Sequence, residues 1–310
     1  MDRQAYLVSN QPFTTADALS AGWSEGELRR AVRDGGLVRL RRGVLIATAA
    51  HRELQGAQLH RLLVQAELLA LESPAAASHA SAAFVYGMPL LTEPSEVELT
   101  SAVADARRRP GLVLRRSPLI EAHLGSDAYG LPVTSPARTV VDVARTRPIR
   151  DALVVADAAL RLRLATKDEL EEVLEAARTW PGAPRARRVC RLADAGAESP
   201  GETLLRLDLL ELGLVRFRLQ VVVRGASGRR YRADVLLEDL GVIVEFDGEL
   251  KYDGPGGRDA LKAEKRREDD LRLAGWAVVR VSWSELGDRD RLRRKLQQAT
   301  RLSHRRTAAS

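Results

Sequence analysis

The stretch Ser24-Glu25-Gly26-Glu27-Leu28-Arg29-Arg30-Ala31-Val32-Arg33 decides how the N-terminal part of the chain is expected to fold. Ser24 followed three residues later by Glu27 is a capping box, which marks the start of a helix. The helix is predicted to run to about Arg33, because glycines 35 and 36 follow and favour a turn.

Short elements flank this helix on both sides. Thr14 or Thr15 is a candidate cap for a shorter helix that runs through Leu19. Two β-prone runs, residues 37–40 and 44–47, follow the longer helix and are joined by a basic turn. Helix, turn, helix and hairpin in this order are typical of a winged helix-turn-helix, so we predict one over residues 1–50.

Arginines are concentrated on the second helix and the hairpin. Residues four apart share a helix face, so Arg29 and Arg33 are expected to lie together. Clustered arginines neutralise phosphates and release counterions, and an arginine on a helix reads guanine edges in a major groove. The predicted contacts to double-stranded DNA are Arg29, Arg30, Arg33, Arg39, Arg41 and Arg42. The alternative is a structural helical hairpin whose arginines face solvent.

These stretches also resemble a known family. Phe13 to Gly22, Leu28-Arg29-Arg30 and Leu37 to Val44 resemble the N-terminal winged-helix region of AbiEi-like type IV antitoxins. Residues 77–83 and 134–142 look like recurring stretches of the same family. The resemblance implies a DNA-binding transcriptional regulator, with a cognate toxin as a further partner.

The middle segment, residues 51–195, carries no convincing catalytic spacing. Its leucine and alanine periodicity predicts a mostly helical module, with short strands at 97–100 and 111–116 and a helix capped by Ser135. His79 has no identifiable acid partner, so it is interpreted as a hydrogen-bonded structural histidine. A scaffolding or interface role is predicted for this segment.

The C-terminal segment, residues 196–310, contains an unusual strand pattern. Side chains alternate along Val242 to Asp247, which places Glu245 and Asp247 on one face of an otherwise apolar strand. A hairpin with the preceding strand brings Asp234 beside them. Converging carboxylates repel one another unless a cation is present, so these three residues are candidate ligands of a hard divalent metal. The alternative is a surface hairpin whose carboxylates face water.

The same residues resemble very-short-patch-repair-like endonucleases of the PD-(D/E)XK fold. The resemblance rests on Asp234, on residues 244–252 and 264–269, and on the strand at 275–281. It implies that Asp234, Glu245 and Asp247 bind Mg²⁺ or Mn²⁺, that Glu202 is an outer ligand, and that Lys251 acts at the scissile phosphate. The usual lysine two residues after the glutamate is replaced by Asp247.

Two functions therefore compete. The first is a DNA-binding protein with a metal-dependent endonuclease domain that hydrolyses phosphodiester bonds, in phage defence or DNA repair. The alternative is an antitoxin-like transcriptional regulator whose nuclease-like domain is catalytically inactive. Both imply a multidomain chain of the α+β and α/β classes, with a restriction-endonuclease-like α/β domain at its C-terminal end.

Composition narrows the classes of protein that remain. The 310 residues include 49 basic and 42 acidic side chains, for a net charge of +7, and only five of the basic residues are lysine. A single cysteine, Cys190, excludes an intrachain disulfide framework and a cysteine-based zinc site. No signal peptide or membrane span is recognised, so a soluble cytoplasmic protein is expected, with a homodimer as a candidate assembly.

Overall fold

The computed structural model describes residues 3–248 and 257–303. Contacts divide the chain into two compact units. The first unit contains Met1–Val155 and Leu162–Leu192, and the second contains Ala156–Arg161 and Ala193–Ser310. The predicted segment boundaries at residues 50 and 195 stay predictions. Each unit combines helices with β-sheet, as the α+β class requires. The first unit contains a three-stranded and a six-stranded sheet, and the second contains a four-stranded sheet.

The first unit begins with short helices around a three-stranded antiparallel sheet of order β1-β3-β2. Thr14 and Ser24 cap α2 and α3 through complete capping boxes, with Asp17 and Glu27 as the reciprocal acceptors. The order of elements therefore follows the sequence prediction closely. The bounds are α1 Arg3–Val8, β1 Phe13–Thr14, α2 Thr15–Ser20, α3 Glu25–Arg33, β2 Leu37–Arg41 and β3 Val44–Ala47.

The rest of the first unit is built around a six-stranded mixed sheet of order β6-β7-β5-β4-β9-β8. The helices of this part are α4 Thr48–Arg52, α5 Gly56–Leu69, α6 His79–Val85, α7 Pro136–Thr146, α8 Ile149–Arg161, α9 Lys167–Ala176 and α10 Ala183–Leu192. The strands are β4 Ala76–Ala77, β5 Val97–Ser101, β6 Arg107–Arg109, β7 Leu112–Arg116, β8 Leu124–Ser126 and β9 Pro132–Thr134. Of α8, only residues 149–155 belong to the first unit.

The middle part, for which a mostly helical structure was predicted, contains a six-stranded sheet as well as its helices. The two strands that were predicted, β5 and β7, are parallel neighbours at the centre of the sheet. Leu99 and Leu112 are completely buried in its core. The other four strands have only two or three residues each. Such short strands show no alternating pattern in the sequence, which is why they escaped prediction.

The second unit packs helices on both faces of a four-stranded sheet of order β10-β11-β12-β13. The first two pairings are antiparallel, as the predicted meander requires, and β12 pairs parallel to β13. The bounds are α11 Pro200–Glu211, β10 Arg218–Arg224, β11 Arg230–Leu237, β12 Val242–Asp247, α12 Gly257–Leu273, β13 Ala277–Ser282 and α13 Arg289–Leu302.

Side chains alternate between the two faces of the sheet along β12, as predicted. The alternation determines which residues of β12 face each half of the second unit's core. Val242 and Val244 pack in the cluster formed with α11 and α13. Ile243 packs on the opposite face, with Leu271 of α12. Glu245, which has the same parity as Ile243, therefore faces α12, and this decides which side chains it meets.

None of the helices within the described residues combines the length and the apolar character that a bilayer span needs.

Candidate functional site

The helix α3 presents arginines on an exposed surface of the first unit. The Ser24 hydroxyl accepts a hydrogen bond from the Glu27 N–H at 3.2 Å, and Glu27 Oε2 accepts one from the Ser24 N–H at 2.7 Å. Leu28 is the buried residue of α3, so Arg29, Arg30 and Arg33 face solvent. Their ion pairs are loose, with Arg29 to Glu25 at 3.5 Å between two exposed side chains. Exposed pairs contribute little, so these guanidiniums are available to an anionic partner.

The predicted DNA-binding arginines of the β2–β3 hairpin differ in their exposure to solvent. Arg39 and Arg42 are exposed, like those of α3. The side chain of Arg41 is only 17% exposed, and its Nη1 donates to Glu67 Oε2 of α5 at 2.5 Å. Burial lowers the pKa of Arg41, and the nearby Glu67 raises it. Arg41 was predicted to contact DNA, but its guanidinium instead ties the hairpin to α5.

The predicted acidic residues of the second unit do converge. They line a cavity of about 190 Å³ where β11, β12 and α12 meet. The register pairs Val235 with Val244, so Asp234 and Glu245 come next along the two strands. The Phe246 N–H donates to Asp234 Oδ2 at 3.0 Å. Burial raises the pKa of Asp234, the Phe246 N–H opposes that shift, and the carboxylate Glu202 adds to it.

Arginine side chains bind carboxylates of this cavity. Arg267 of α12 binds Glu245 through both nitrogens of its fork, with Nη1 to Oε2 at 2.9 Å and Nη2 to Oε1. Arg267 Nη1 also donates to Glu264 at 3.0 Å, and Glu264 is bound in turn by Arg280. The hydrogen bonds from Arg267 to Glu245 raise the pKa of Arg267. A permanently charged guanidinium thus binds both carboxylate oxygens of Glu245.

The remaining predicted site residues are Glu202, Asp247 and Lys251. Glu202 accepts hydrogen bonds from the Glu198 N–H, the Ser199 hydroxyl and the Gln220 amide, so it stabilises the start of α11. Asp247 lines the acidic cavity. Lys251 lies outside the described residues. Within residues 3–248 and 257–303, no three His, Cys, Asp or Glu side chains are grouped to hold a metal. The Mg²⁺ or Mn²⁺ site stays a prediction.

Sequence reasoning missed the arginines that complete these sites. Arg267 lies within residues 264–269, which were part of the endonuclease resemblance, but no role was predicted for it. Its spacing of three residues from Glu264 was the only signal that the two share a helix face. The second set is Arg107, Arg108, Arg115 and Arg116 of β6 and β7, which lie with Arg145 and Arg185 around a cavity of the first unit.

Comparisons with known proteins identify families and relatives that this chain resembles. Residues 2–47 match the family described as the transcriptional regulator, AbiEi antitoxin, and residues 71–190 match the AbiEi antitoxin C-terminal domain. Two Mycobacterium tuberculosis proteins are each 30% identical over 250 residues, covering 81% of this chain and 87% of the relative. They are uncharacterized protein MT2308 of strain CDC 1551 / Oshkosh and uncharacterized protein Rv2248 of strain ATCC 25618 / H37Rv.

A solved structure is also similar, the crystal structure of RV2827C protein from Mycobacterium tuberculosis. Its TM-score is 0.45 at 16% identity, over 66% of this chain and 78% of that chain. The family matches of residues 2–47 and 71–190 confirm the resemblance to AbiEi antitoxins for both the N-terminal and the middle part. The resemblance to very-short-patch-repair endonucleases has no counterpart among these matches.

Proposed function

The chain belongs to one family with the two mycobacterial proteins and carries both AbiEi antitoxin domains, and on that premise we propose that it is a DNA-binding transcriptional regulator with an antitoxin role. The observation that carries the proposal is the exposed arginine surface of α3 and the β2–β3 hairpin. Its members are Arg29, Arg30, Arg33, Arg39 and Arg42.

The proposed geometry is that of a winged helix-turn-helix. In it α2 and α3 form the helix pair, α3 enters the major groove, and the β2–β3 hairpin is the wing that follows the phosphate backbone. Arg29 and Arg33, one turn apart on α3, are suited to base edges and flanking phosphates. Arg39 and Arg42 on the wing are suited to phosphates. Arg41 is left out of this surface because Glu67 holds it.

Binding to the DNA upstream of the protein's own gene tests this proposal. Fluorescence anisotropy at several salt concentrations compares the full chain with the double variant Arg29→Ala/Arg33→Ala. The variant is expected to lose about tenfold or more in affinity, and the slope of log K against log salt is expected to fall by about one for each phosphate contact removed. Arg187→Ala/Arg188→Ala is the matched control, since these are exposed arginines of α10. Equal binding by the wild type and the Arg29/Arg33 variant would exclude α3 as the recognition helix.

The antitoxin role rests on the family match of residues 71–190. A toxin encoded beside this gene is the proposed partner. Co-expression of the full chain is expected to restore growth to cells that produce that toxin. Because an antitoxin can act by repression or by neutralising its toxin, the toxin is expressed from an unrelated promoter. Failure of the wild-type chain to restore growth under that promoter would remove the neutralising role and leave the regulatory one.

For the second unit we propose a non-catalytic role. The pairing of Glu245 with Arg267 supports it, because a metal at Glu245 would have to displace a bidentate guanidinium. Plasmid DNA incubated with the protein and Mg²⁺ or Mn²⁺ is expected to stay intact. Cleavage by the wild type that is lost in Glu245→Ala would instead establish the endonuclease that the sequence predicted, with Glu245 in its catalytic site.

A further inference from the structure

A basic cavity of about 930 Å³ lies in the middle part of the first unit, and its lining shares no residue with the proposed DNA-binding surface. Its walls are β6, β7, the end of α7 and the loop between α9 and α10. Six arginines line it, and no described carboxylate does. The arginines are Arg107, Arg108, Arg115, Arg116, Arg145 and Arg185.

The surrounding carboxylates compensate only part of this charge. Four of the lining arginines pair with Glu96, Glu98, Asp105 or Asp142. Two of those acids are shared with further arginines, since Arg147 also lies 3.6 Å from Glu98 and Arg138 binds Asp142. Eight arginines, the six of the lining plus these two, thus face four carboxylates. Within the described residues, Arg107 and Arg185 have no carboxylate partner.

Buried donors around the cavity lack partners. Among the described residues, the Nε atoms of Arg115 and Arg145 and the Nε2 atom of His79 are buried without a hydrogen-bond partner. All three residues belong to the cavity lining. An unsatisfied buried polar atom is costly, so three of them in the walls of one cavity mark a region where polar groups are incompletely paired.

A hydrogen-bond chain lies behind His79. Thr100 donates to the Ser78 hydroxyl at 2.8 Å, and that hydroxyl lies 2.9 Å from His79 Nδ1. His79 also has a left-handed backbone, with φ of +53°. Such strain in a residue other than glycine persists where the surroundings enforce it, and it collects at functional sites.

An aromatic wall completes the cavity. The Trp180 ring lies in its lining, with the guanidinium of Arg145 4.9 Å from the ring centre. Gly182 lets the chain pass directly over α7, because an added Cβ would lie 2.3 Å from the Arg145 carbonyl oxygen. An indole beside several guanidiniums suits a ligand with a flat ring at one end and phosphates at the other. The volume lies in the range of small-molecule sites.

We propose that this cavity binds a nucleotide, with its phosphates on the arginines of β6, β7 and α7 and its base beside Trp180. The excess of arginine and the aromatic wall point to the same chemistry. This site is separate from the arginine surface of α3, so it does not depend on the proposed DNA binding.

Isothermal titration calorimetry on the full chain tests the proposal, with ATP, GTP, inorganic pyrophosphate and adenosine as probes. A nucleoside triphosphate is expected to bind with one site per chain, pyrophosphate more weakly, and adenosine not measurably. Arg107→Glu is expected to weaken triphosphate binding by about tenfold or more, because it replaces an attraction with a repulsion. Arg107 is exposed, so thermal melting is expected to show that this variant folds.

Two controls separate the site from general surface charge. Arg188→Glu changes charge equally on the exposed side of α10 and is expected to keep wild-type nucleotide affinity. Arg29→Ala/Arg33→Ala is expected to keep it as well, even where it abolishes DNA binding. The proposal is overturned if no triphosphate binds the wild type at millimolar concentration. It is equally overturned if Arg188→Glu loses as much affinity as Arg107→Glu, or if Arg107→Glu weakens only the binding of DNA.

Discussion

Glu67 is a buried carboxylate that serves two arginines from different strands. Its side chain is 7% exposed and binds Arg41 of β2 at 2.5 Å and also Arg109 of β6. A carboxylate with two cationic partners offsets its own desolvation better than a single pair does. Glu67 therefore fixes the hairpin with Arg39 and Arg42 against the six-stranded sheet, and it positions the proposed wing without touching DNA.

Replacing Glu67 by Gln is expected to destabilise the first unit by about 1–3 kcal/mol, because a half-buried Arg41 is left without its counter-charge. Urea unfolding of the full chain measures this. Glu25→Gln, which removes the exposed partner of Arg29, is expected to change stability by less than about 0.5 kcal/mol. Equal effects of the two substitutions would show that Glu67 contributes no more than a surface carboxylate.

His79 makes the stability of the first unit dependent on pH. Burial lowers its pKa from 6.5 to about 4. The imidazole of His79 is therefore protonated below pH 6.5 in the unfolded chain, but only below about pH 4 in the folded chain. The stability that His79 contributes is complete above pH 6.5 and is lost as the pH falls from there towards 4. At pH 5 the loss is about 2 kcal/mol.

The comparison with His79→Gln tests this effect, because the carboxylates that are not coupled to His79 titrate alike in both proteins. Glu98 and Asp142, which are coupled to it, have pKa values lowered from the usual range. Urea unfolding at pH 7.5 and pH 5.0 gives the free energy of each. The advantage of the wild type over the variant is expected to shrink by about 2 kcal/mol between the two pH values. An advantage that is unchanged with pH would mean that His79 titrates normally in the folded chain.

For individual residues, the sequence predicted where a side chain lies better than it predicted which side chain binds it. Asp234 and Glu245 were expected to come together, and they line one cavity. The arginine between Glu245 and Glu264 was not foreseen, because the contact spans 22 residues and nothing local marks it. Arg41 and Arg42 are neighbours of the same type, yet one binds Glu67 and the other faces solvent. Only the packing of α5 against the hairpin distinguishes them.

The backbone of the loop between α9 and α10 packs so closely against α7 that a side chain cannot be added at Gly182 without a shift of the backbone. Gly182 has a φ of +84°, and an added Cβ would lie 2.3 Å from the carbonyl oxygen of Arg145. Backbone atoms cannot move aside as a flexible side chain does. Arg185 donates to that same carbonyl, so the loop is also held by a hydrogen bond.

Gly182→Ala is therefore expected to destabilise the first unit by about 2–4 kcal/mol and to weaken nucleotide binding, because Trp180 moves with the loop. Gly111→Ala is the matched control, since Gly111 has a similar φ of +80° and nothing within 4 Å of the added Cβ. The control is expected to lose only the conformational term of about 1 kcal/mol. Urea unfolding and calorimetry measure both effects. Equal losses would show that φ alone, and not the close approach, accounts for the change.

Elements with chemical start signals were predictable, and short strands were not. Ser24 with Glu27 and Ser135 with Pro136 marked α3 and α7, and both helices begin where those residues stand. The apolar run of β12 was equally clear. The two residues of β4 are strand-like only because β5 and β9 pair with them on either side. That pairing is a tertiary property, so no local pattern announces it.

At the scale of the whole molecule, α8 contributes residues to both units. Its residues 149–155 belong to the first unit and 156–161 to the second. Asp157, in the second group, is 1% exposed and binds Arg206 of α11 through both oxygens at 2.8 and 2.9 Å. It also accepts from the Thr203 hydroxyl and the Asp194 N–H. The second unit is therefore not a simple C-terminal segment, because its core includes a carboxylate from before residue 162.

Asp157→Asn tests whether the two units unfold separately. The substitution removes the negative charge that binds the buried Arg206, so the second unit is expected to lose about 3–5 kcal/mol. Hydrogen exchange is expected to quicken in α11 and to stay unchanged in α3, if each unit is its own cooperative structure. Asp151→Asn, in the first turn of the same helix, is expected to leave exchange in α11 as it is. Faster exchange in α11 and α3 alike would show a single cooperative molecule, and no change in α11 would show that Asp157 does not hold the second unit together.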